Sequence, residues 1–218
     1  MNAFVYKKLK VIVAIFSVIT LMACGKKSTP PVTAGSEDTP IPTYNLAWQT
    51  VGAEIADQAS LISLKVFNGT PYIAYKGFLD SKAHVKKYDG SSWVEVLSGT
   101  PATSDDVLFV KMDIDSLGNI FIAYTDPNAS NALRVRKFNG TSWSNIITAD
   151  PTAKLFAIDL YNDQPCITYI DSSDRIAAML YDGTTWSSHT TSYKAENYIS
   201  IHVDELASPA ATAYIAFR

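Results

Sequence analysis

Two patterns of hydrophobic and polar positions divide the chain. Residues 11–23 form an apolar run interrupted only by Ser17 and Thr20, and a short segment with Lys7, Lys8 and Lys10 precedes it. A run of 13 residues is too short for a membrane-spanning helix, which needs about 20. From residue 45 onward, short stretches of alternating character lie between turn residues, which is typical of β-strands. Outside the first run, no segment has the period of a helix.

The strand pattern recurs as a unit of four short strands. In the first unit the predicted strands are 61–67, 72–75, 83–88 and 93–97. Asn68-Gly69 and Asp89-Gly90 lie between them and supply the positive φ angles that tight hairpins need. Three units carry an aromatic-x-Gly-x-x-Trp element that ends at Trp93, Trp143 and Trp186. Strand-end aromatics recur 49, 45 and 48 residues apart, at Tyr75, Tyr124, Tyr169 and Phe217.

A four-stranded antiparallel unit of this length has the size of a β-propeller blade. Trp48 begins an isolated copy of the fourth strand, so the repeats start on an outer strand and end on inner ones. The region 48–218 resembles bacterial propeller-like repeat proteins with a W-x-x-V-G, P-Y-I-A-Y and Y-D-G-x-x-W unit. The resemblance implies an all-β fold, a β-propeller with three full units and a shared partial blade. A β-sandwich is the alternative, and it leaves the Trp spacing unexplained.

The blade count predicts an incomplete propeller. The shared blade lacks its third strand, because the last copy of the repeat ends at Phe217. We therefore expect a truncated member of a larger propeller family. Closure into a strained four-blade propeller is the alternative, and the irregular turn between Asp204 and Thr212 departs from the unit in either case.

The apolar run near the N-terminus ends in Leu21, Met22, Ala23 and Cys24, followed by Gly25. This resembles the bacterial lipobox. The resemblance implies cleavage before Cys24 and diacylglycerol on its sulfur, which would hold the protein to a membrane. An ordinary signal peptide with a chance cysteine is the alternative. Gly25 is not the aspartate of the inner-membrane retention signal, so we expect an outer-membrane or cell-surface lipoprotein.

These features predict three regions: a lipoprotein signal peptide at 1–23, the lipidated Cys24 with a flexible linker at 24–44, and a propeller domain at 45–218. The linker is rich in Pro, Ser, Thr and Gly without apolar periodicity. Loss of the signal's three lysines from 18 basic residues leaves 15 against 21 acidic ones. An acidic domain is a poor partner for nucleic acid. Cys166 is the other cysteine, so no disulfide is expected within the chain.

Candidate chemistry is sparse. The Asp-Gly-x-x-Trp hairpins resemble the sialidase Asp-box, but Asp and Gly are adjacent here. A sialidase also needs an arginine triad, whereas the mature chain has only four arginines, and two of them, Arg134 and Arg136, are neighbours on one strand. Asp113, Asp115 and Gly118 match three positions of a calcium loop, whereas Leu117 and Tyr124 replace two oxygen ligands. A hairpin turn is the better prediction. His84, His189 and His202 lie in separate units without zinc spacing. We expect no catalytic residue, metal or cofactor.

The remaining candidates are aromatic and basic side chains. The repeated Trp and Tyr residues could stack on sugars, although recurrence in every blade favours packing between blades. The basic third strands, with Lys86, Lys87, Arg134, Arg136 and Lys137, are expected to form a solvated face. The sequence therefore favours a membrane-anchored binding scaffold for a protein or glycan partner over an enzyme. The alternative is a carbohydrate-active enzyme whose catalytic residues lie in missing blades.

Overall fold

The computed structural model describes residues 51–53, 55, 59–146, 151–205 and 212–218, together with the backbone of residues 10–14. Its strands form three four-stranded sheets and one three-stranded sheet. The first sheet contains β2 (Ala59–Phe67), β3 (Thr70–Gly77), β4 (Ala83–Tyr88) and β5 (Trp93–Glu95); the second contains β6 (Val110–Ile114), β7 (Ile120–Asp126), β8 (Ala132–Phe138) and β9 (Trp143–Ile146). The third contains β10 (Leu155–Tyr161), β11 (Gln164–Ile170), β12 (Arg175–Tyr181) and β13 (Trp186–Lys194); the fourth contains β14 (Ile199–Asp204), β15 (Thr212–Phe217) and β1 (Lys10–Ala14).

The predicted turn chemistry holds the hairpins between third and fourth strands. Asp89 Oδ1 accepts hydrogen bonds from the backbone N–H groups of Ser91 at 2.9 Å and Ser92 at 2.8 Å. Asn139 and Asp182 make the equivalent pairs of bonds in the next two sheets. Such side-chain bonds fix a tight turn because they replace backbone bonds that the turn cannot make. The repeated Asp/Asn is therefore structural.

Neighbouring sheets pack face to face, and the core lies between them. The innermost strands β2, β6, β10 and β14 follow one another in space. One apolar cluster joins the first and second sheets, a second joins the second and third, and two smaller ones join the third and fourth. The chain is thus an incomplete β-propeller of four-stranded antiparallel blades, as predicted. We call the sheets blades I to IV in chain order.

Blade IV contains the one strand that the sequence did not predict. β1 lies within the expected signal segment and pairs in parallel with β15, from Lys10 opposite Thr212 to Ala14 opposite Ala216. The predicted outer strand at Trp48, the lipid site Cys24, the linker and most of the irregular turn after Asp204 lie outside the described residues. Within the described ranges, no helix is long and apolar enough to cross a membrane.

Candidate functional site

A concave surface with polar and aromatic side chains lies between blades I and II. It is a pocket of about 510 Å³. Its wall combines an indole ring, two cationic side chains and several hydroxyl groups. The lining residues are Lys82, Leu97, Thr100, Pro101, Thr103, Ser104, Arg136, Ser142 and Trp143. Most of these residues carry a hydroxyl group or a positive charge, so the pocket suits a polar ligand.

Arg136 of β8 and Trp143 of β9 form the inner wall of the pocket. The guanidinium donates hydrogen bonds to the carbonyl oxygens of Ala102 and Trp143, the second at 3.5 Å. Its central carbon lies 5.9 Å from the centre of the Trp143 ring. Arg136 Nε and Trp143 Nε1 are buried, and neither has a hydrogen-bond partner in the described structure. A buried donor without an acceptor is costly, and Trp186 Nε1, the equivalent donor in blade III, is unsatisfied as well.

The opposite wall is a loop that backbone hydrogen bonds hold to blade I. Ala102 N donates to Ala83 O at 2.7 Å, and Ala83 N donates to Thr103 Oγ1 at 3.0 Å. The Thr103 hydroxyl then donates to Asp105 O at 2.9 Å. The loop is therefore fixed to the third strand of blade I, and the pocket exists without any rearrangement.

The prediction that the basic third strands form a solvated face is wrong. Arg136 is half-buried, and Arg134 lies 2.7 Å from Asp126 and 3.0 Å from Asp105. The Lys86 side chain is 15% exposed and lies 5.7 Å above the Tyr75 ring. Third strands are interior strands of each sheet, and their side chains alternate between the two neighbouring blades. Of the five basic residues on these strands, Lys87 alone is exposed, as predicted.

The repeated tryptophans pack inside their own hairpins. Trp93 contacts Tyr88 with ring centres 5.6 Å apart, and Phe138–Trp143 and Tyr181–Trp186 repeat the contact at 5.2 and 5.1 Å. Trp143 and Trp186 also pack against the apolar clusters that join blades I with II and II with III, so the predicted packing between blades is confirmed for these two. Trp143 differs in having Arg136 beside it, because the corresponding neighbour of Trp186 is Met179.

A second polar group lies on the innermost strands. Lys65, Asp113, Asp159 and His202 occupy the same repeat position in the four blades. Lys65 Nζ lies 2.9 Å from Asp113, and His202 Nδ1 lies 3.2 Å from Asp159. Burial raises the pKa of Asp113, and the nearby Asp159 adds to that effect, while Lys65 opposes it. Each carboxylate thus bridges two blades.

The loop that resembles a calcium site is a hairpin turn, as predicted. Asp115 Oδ1 accepts from the N–H groups of Leu117 and Asn119 at 3.0 and 2.8 Å. His84 bonds to Glu95 and Asp80 within blade I, whereas His202 of blade IV lies beside Asp159 of blade III. Among the described residues, no three metal-binding side chains converge.

Arg136 is the pocket residue that the sequence did not single out. The sequence pattern predicts for it the same solvated position as for the other basic residues of the third strands. The available signal was the comparison of repeats: the residue seven positions before each hairpin Trp is Lys86, Arg136 and Met179 in turn. A position that varies while its surroundings recur is a better functional candidate than the recurring ones.

Solved structures with a similar fold are sugar-binding or sugar-cleaving proteins by name. No protein-family model and no curated protein matches the chain. SapL1 lectin in complex with alpha methyl fucoside superposes with a TM-score of 0.58 and 17% identity, over 74% of this chain and 57% of the lectin. The fucose-specific lectin from Aleuria aurantia gives 0.49 and 15%, over 62% and 46%. An exo-beta-1,3-galactanase from Clostridium thermocellum gives 0.49 and 7%, over 72% and 41%.

These comparisons concern the fold alone. The chain spans little more than half the length of SapL1 lectin. At 17% identity the likeness establishes the blade architecture and carries over no residue of a binding site.

Proposed function

We propose that this protein is a lipid-anchored propeller that binds a saccharide in the pocket between blades I and II. The observation that carries the proposal is the Arg136–Trp143 pair at the wall of a pocket that hydroxyl-bearing side chains also line. An aromatic ring offers a flat apolar surface for the C–H face of a sugar, and nearby N–H and hydroxyl groups can bond to its oxygens. The fold likeness to a lectin solved with a fucoside supports the same class of ligand.

The pocket chemistry also favours a sugar over a peptide segment. Thr100, Ser104 and Ser142 add hydroxyl groups, each of which can donate or accept. Sugar hydroxyls have the same dual character, so they can satisfy these groups. The pocket has no carboxylate in its lining, so an anionic sugar would meet no repulsion there.

Binding to immobilised glycans by the full chain, followed by titration with the sugars that bind, tests this proposal. Arg136→Met keeps the side-chain volume and matches the residue that blade III has at this position. A hydrogen bond to a charged group contributes about 1.5–3 kcal/mol, so we expect affinity to fall by about 10- to 100-fold.

Lys87→Met is the matched control, because Lys87 is an exposed basic residue of a third strand outside the pocket. It should leave the affinity unchanged, and thermal melting should show both variants folded. Equal affinities for Arg136→Met and the parent chain would exclude this pocket as the binding site. Absence of binding to any glycan would exclude the proposed ligand class.

The anchor is the second part of the proposal. A lipid on Cys24 and the linker 24–44 would tether the propeller to the outer membrane or cell surface. The lipobox-like residues 21–24 support this. Mass spectrometry should find acylated Cys24 as the first residue of the mature protein. A Cys24→Ala protein that still sediments with membranes would contradict it.

A glycosidase is the second candidate function. Asp113 and Asp159 lie at equivalent positions on neighbouring inner strands, and burial raises the pKa of Asp113. Two carboxyl groups in unlike environments are what glycoside hydrolysis requires. Release of sugar from a bound glycan by the parent chain, and its loss in Asp159→Asn, would favour the enzyme.

A further inference from the structure

A row of bulky apolar side chains lies near the start of the four innermost strands. Each blade supplies one of them, and each lies four positions before the polar residue that the same strand carries at the repeat position described above. The row is therefore part of the repeat. We call it the apolar ring, and its members are Leu61, Phe109, Leu155 and Tyr198.

The apolar ring lines a pocket of about 240 Å³ to which all four blades contribute. Val110, Phe156 and Ile199 complete its apolar wall and are 8% exposed or less. Leu61 and Tyr198, by contrast, are 42 and 54% exposed. An apolar cavity of about 150 Å³ holds benzene, so this pocket has room for a phenyl group with a short chain. Exposed apolar side chains that converge on a concavity mark a ligand site.

The backbone of blade I is distorted at the apolar ring. The register between β2 and β3 shifts between Ser60 and Ser63, and Leu61 within this bulge has a φ of 59°. A positive φ is unfavourable for a bulky side chain, whereas a glycine adopts it freely. Bulges of this kind redirect side chains beside functional sites. Here the bulge places Leu61 on the pocket wall.

The polar part of the pocket has one sign of charge. Lys111 lines it and is exposed, and within the described residues no carboxylate pairs with its ammonium group. Asn197 adds an amide that can donate a second hydrogen bond. No carboxylate lies in the lining. The pocket therefore complements a ligand that joins an apolar group to an anion.

We propose that this pocket binds a small carboxylate with an aromatic body. The body lies within the apolar ring, where three of the lining side chains are aromatic, and the carboxylate lies at Lys111. Such a ligand buries the exposed apolar surface and gives the ammonium group a charged partner. The site shares no lining residue with the pocket of Arg136 and Trp143. The proposal does not depend on saccharide binding.

The test is calorimetric titration of the full chain in mild detergent, with detergent alone as the blank. The probes are hydrocinnamate and its neutral counterpart, hydrocinnamyl alcohol. We expect the parent chain to bind the carboxylate about tenfold more tightly, as a hydrogen bond to a charged group provides. Lys111→Met should abolish this preference by weakening only the carboxylate. Lys87→Met is the matched control, because Lys87 is an exposed lysine outside this pocket, and it should retain the preference.

A second variant tests the apolar ring without destabilising the fold. Leu61→Gly removes one side chain from the wall and suits the positive φ at this position. We expect both probes to bind at least about threefold more weakly, because apolar contact is lost. The thermal midpoint should be no lower than that of the parent. Ser81→Gly is the control, because Ser81 also has a positive φ but lies in a turn outside the pocket.

Several outcomes would overturn the proposal. Absence of hydrocinnamate binding by the parent chain would exclude the ligand class, and equal affinities for the two probes would exclude the role of Lys111. Binding that neither Lys111→Met nor Leu61→Gly weakens would place the ligand elsewhere. Arg136→Met should leave hydrocinnamate binding unchanged, so a failure of the saccharide proposal would be distinguished from a failure of this one.

Discussion

The third strands of blades II and III occupy the same place in the propeller but differ in character. β8 carries Arg134, Arg136 and Lys137 where β12 carries Ala177, Met179 and Leu180. Both strands lie between a second and a fourth strand of their sheet. In β12, Ala177 and Met179 are 1 and 3% exposed in an apolar cluster, whereas β8 uses its cations for ion pairs and the pocket wall.

The difference shows which properties the scaffold requires. Hairpin turns, strand alternation and the aromatic pair recur in both blades, so the fold depends on them. The polarity of the third strand does not recur, and it is free to serve a site. Function in this molecule therefore belongs to the position that changes between repeats.

Moving the arginine of β8 to β12 should have the largest effect. Met179→Arg would place a cation in the apolar cluster between blades II and III, where Met179 is 3% exposed. A buried charge without a partner costs about 3–5 kcal/mol, so we expect the free energy of unfolding to fall by that amount. Urea denaturation measures it. The reverse change, Arg136→Met, should leave the free energy of unfolding within about 1 kcal/mol of the parent. Equal losses in both variants would show that β8 and β12 do not differ in their tolerance of a charged side chain.

Removing the ion pair of β8 should have an intermediate effect. Asp126 is 5% exposed, and its carboxylate lies 2.7 Å from Arg134. Arg134→Ala would leave this buried acceptor without its cation, which costs about 2 kcal/mol. Arg175→Ala is the matched control, because the Arg175–Asp171 pair at 2.9 Å has an arginine that is 50% exposed. An exposed pair contributes about 0–1 kcal/mol, so similar losses for both arginines would show that Asp126 is not effectively buried.

The smallest effect should be a dependence on pH in blade I. His84 occupies the repeat position of Arg134 and bonds to Glu95 at 2.9 Å and Asp80 at 3.0 Å. Its hydrogen bond to Glu95, with a contribution from Asp80, raises the pKa of His84 above 6.5. The stability that the protonated ring contributes is complete below pH 6.5 and is lost as pH rises through the raised value.

Urea midpoints between pH 6 and pH 9 measure this dependence. His84→Gln should remove the part of the loss of stability that His84 causes as the pH rises through this range. His189→Gln is the control, because His189 is at an exposed position of β13, and it should retain the loss. A decline that persists unchanged in His84→Gln would assign it to other groups.

Much of the fold could be predicted because local chemistry sets it. The third strand of blade I was predicted at 83–88 and observed as Ala83–Tyr88, because Asp89-Gly90 ends it with a turn of fixed geometry. The repeat spacing predicted the blades for the same reason. These signals lie within a few residues of the elements that they define.

The surroundings of each strand could not be predicted from one sequence. Arg136, for example, donates a hydrogen bond to the carbonyl oxygen of Ala102, which lies 34 residues earlier in the chain. Ile62, Leu64 and Val66 alternate along β2 with more polar residues, yet they are 57, 61 and 64% exposed. Pairing of β1 with β15 joins strands about 200 residues apart, and no local pattern encodes it.

The single cysteine among the described residues makes the propeller accessible to a kinetic measurement. Cys166 lies between blades III and IV, is 1% exposed, and burial raises the pKa of its thiol to about 12. A protonated, enclosed thiol does not react with alkylating reagents. The rate of alkylation in native buffer would therefore report how often blade IV separates from blade III, as hydrogen exchange does for a buried amide. Among the described residues, Cys166 is thus a natural probe of the contact between blades III and IV.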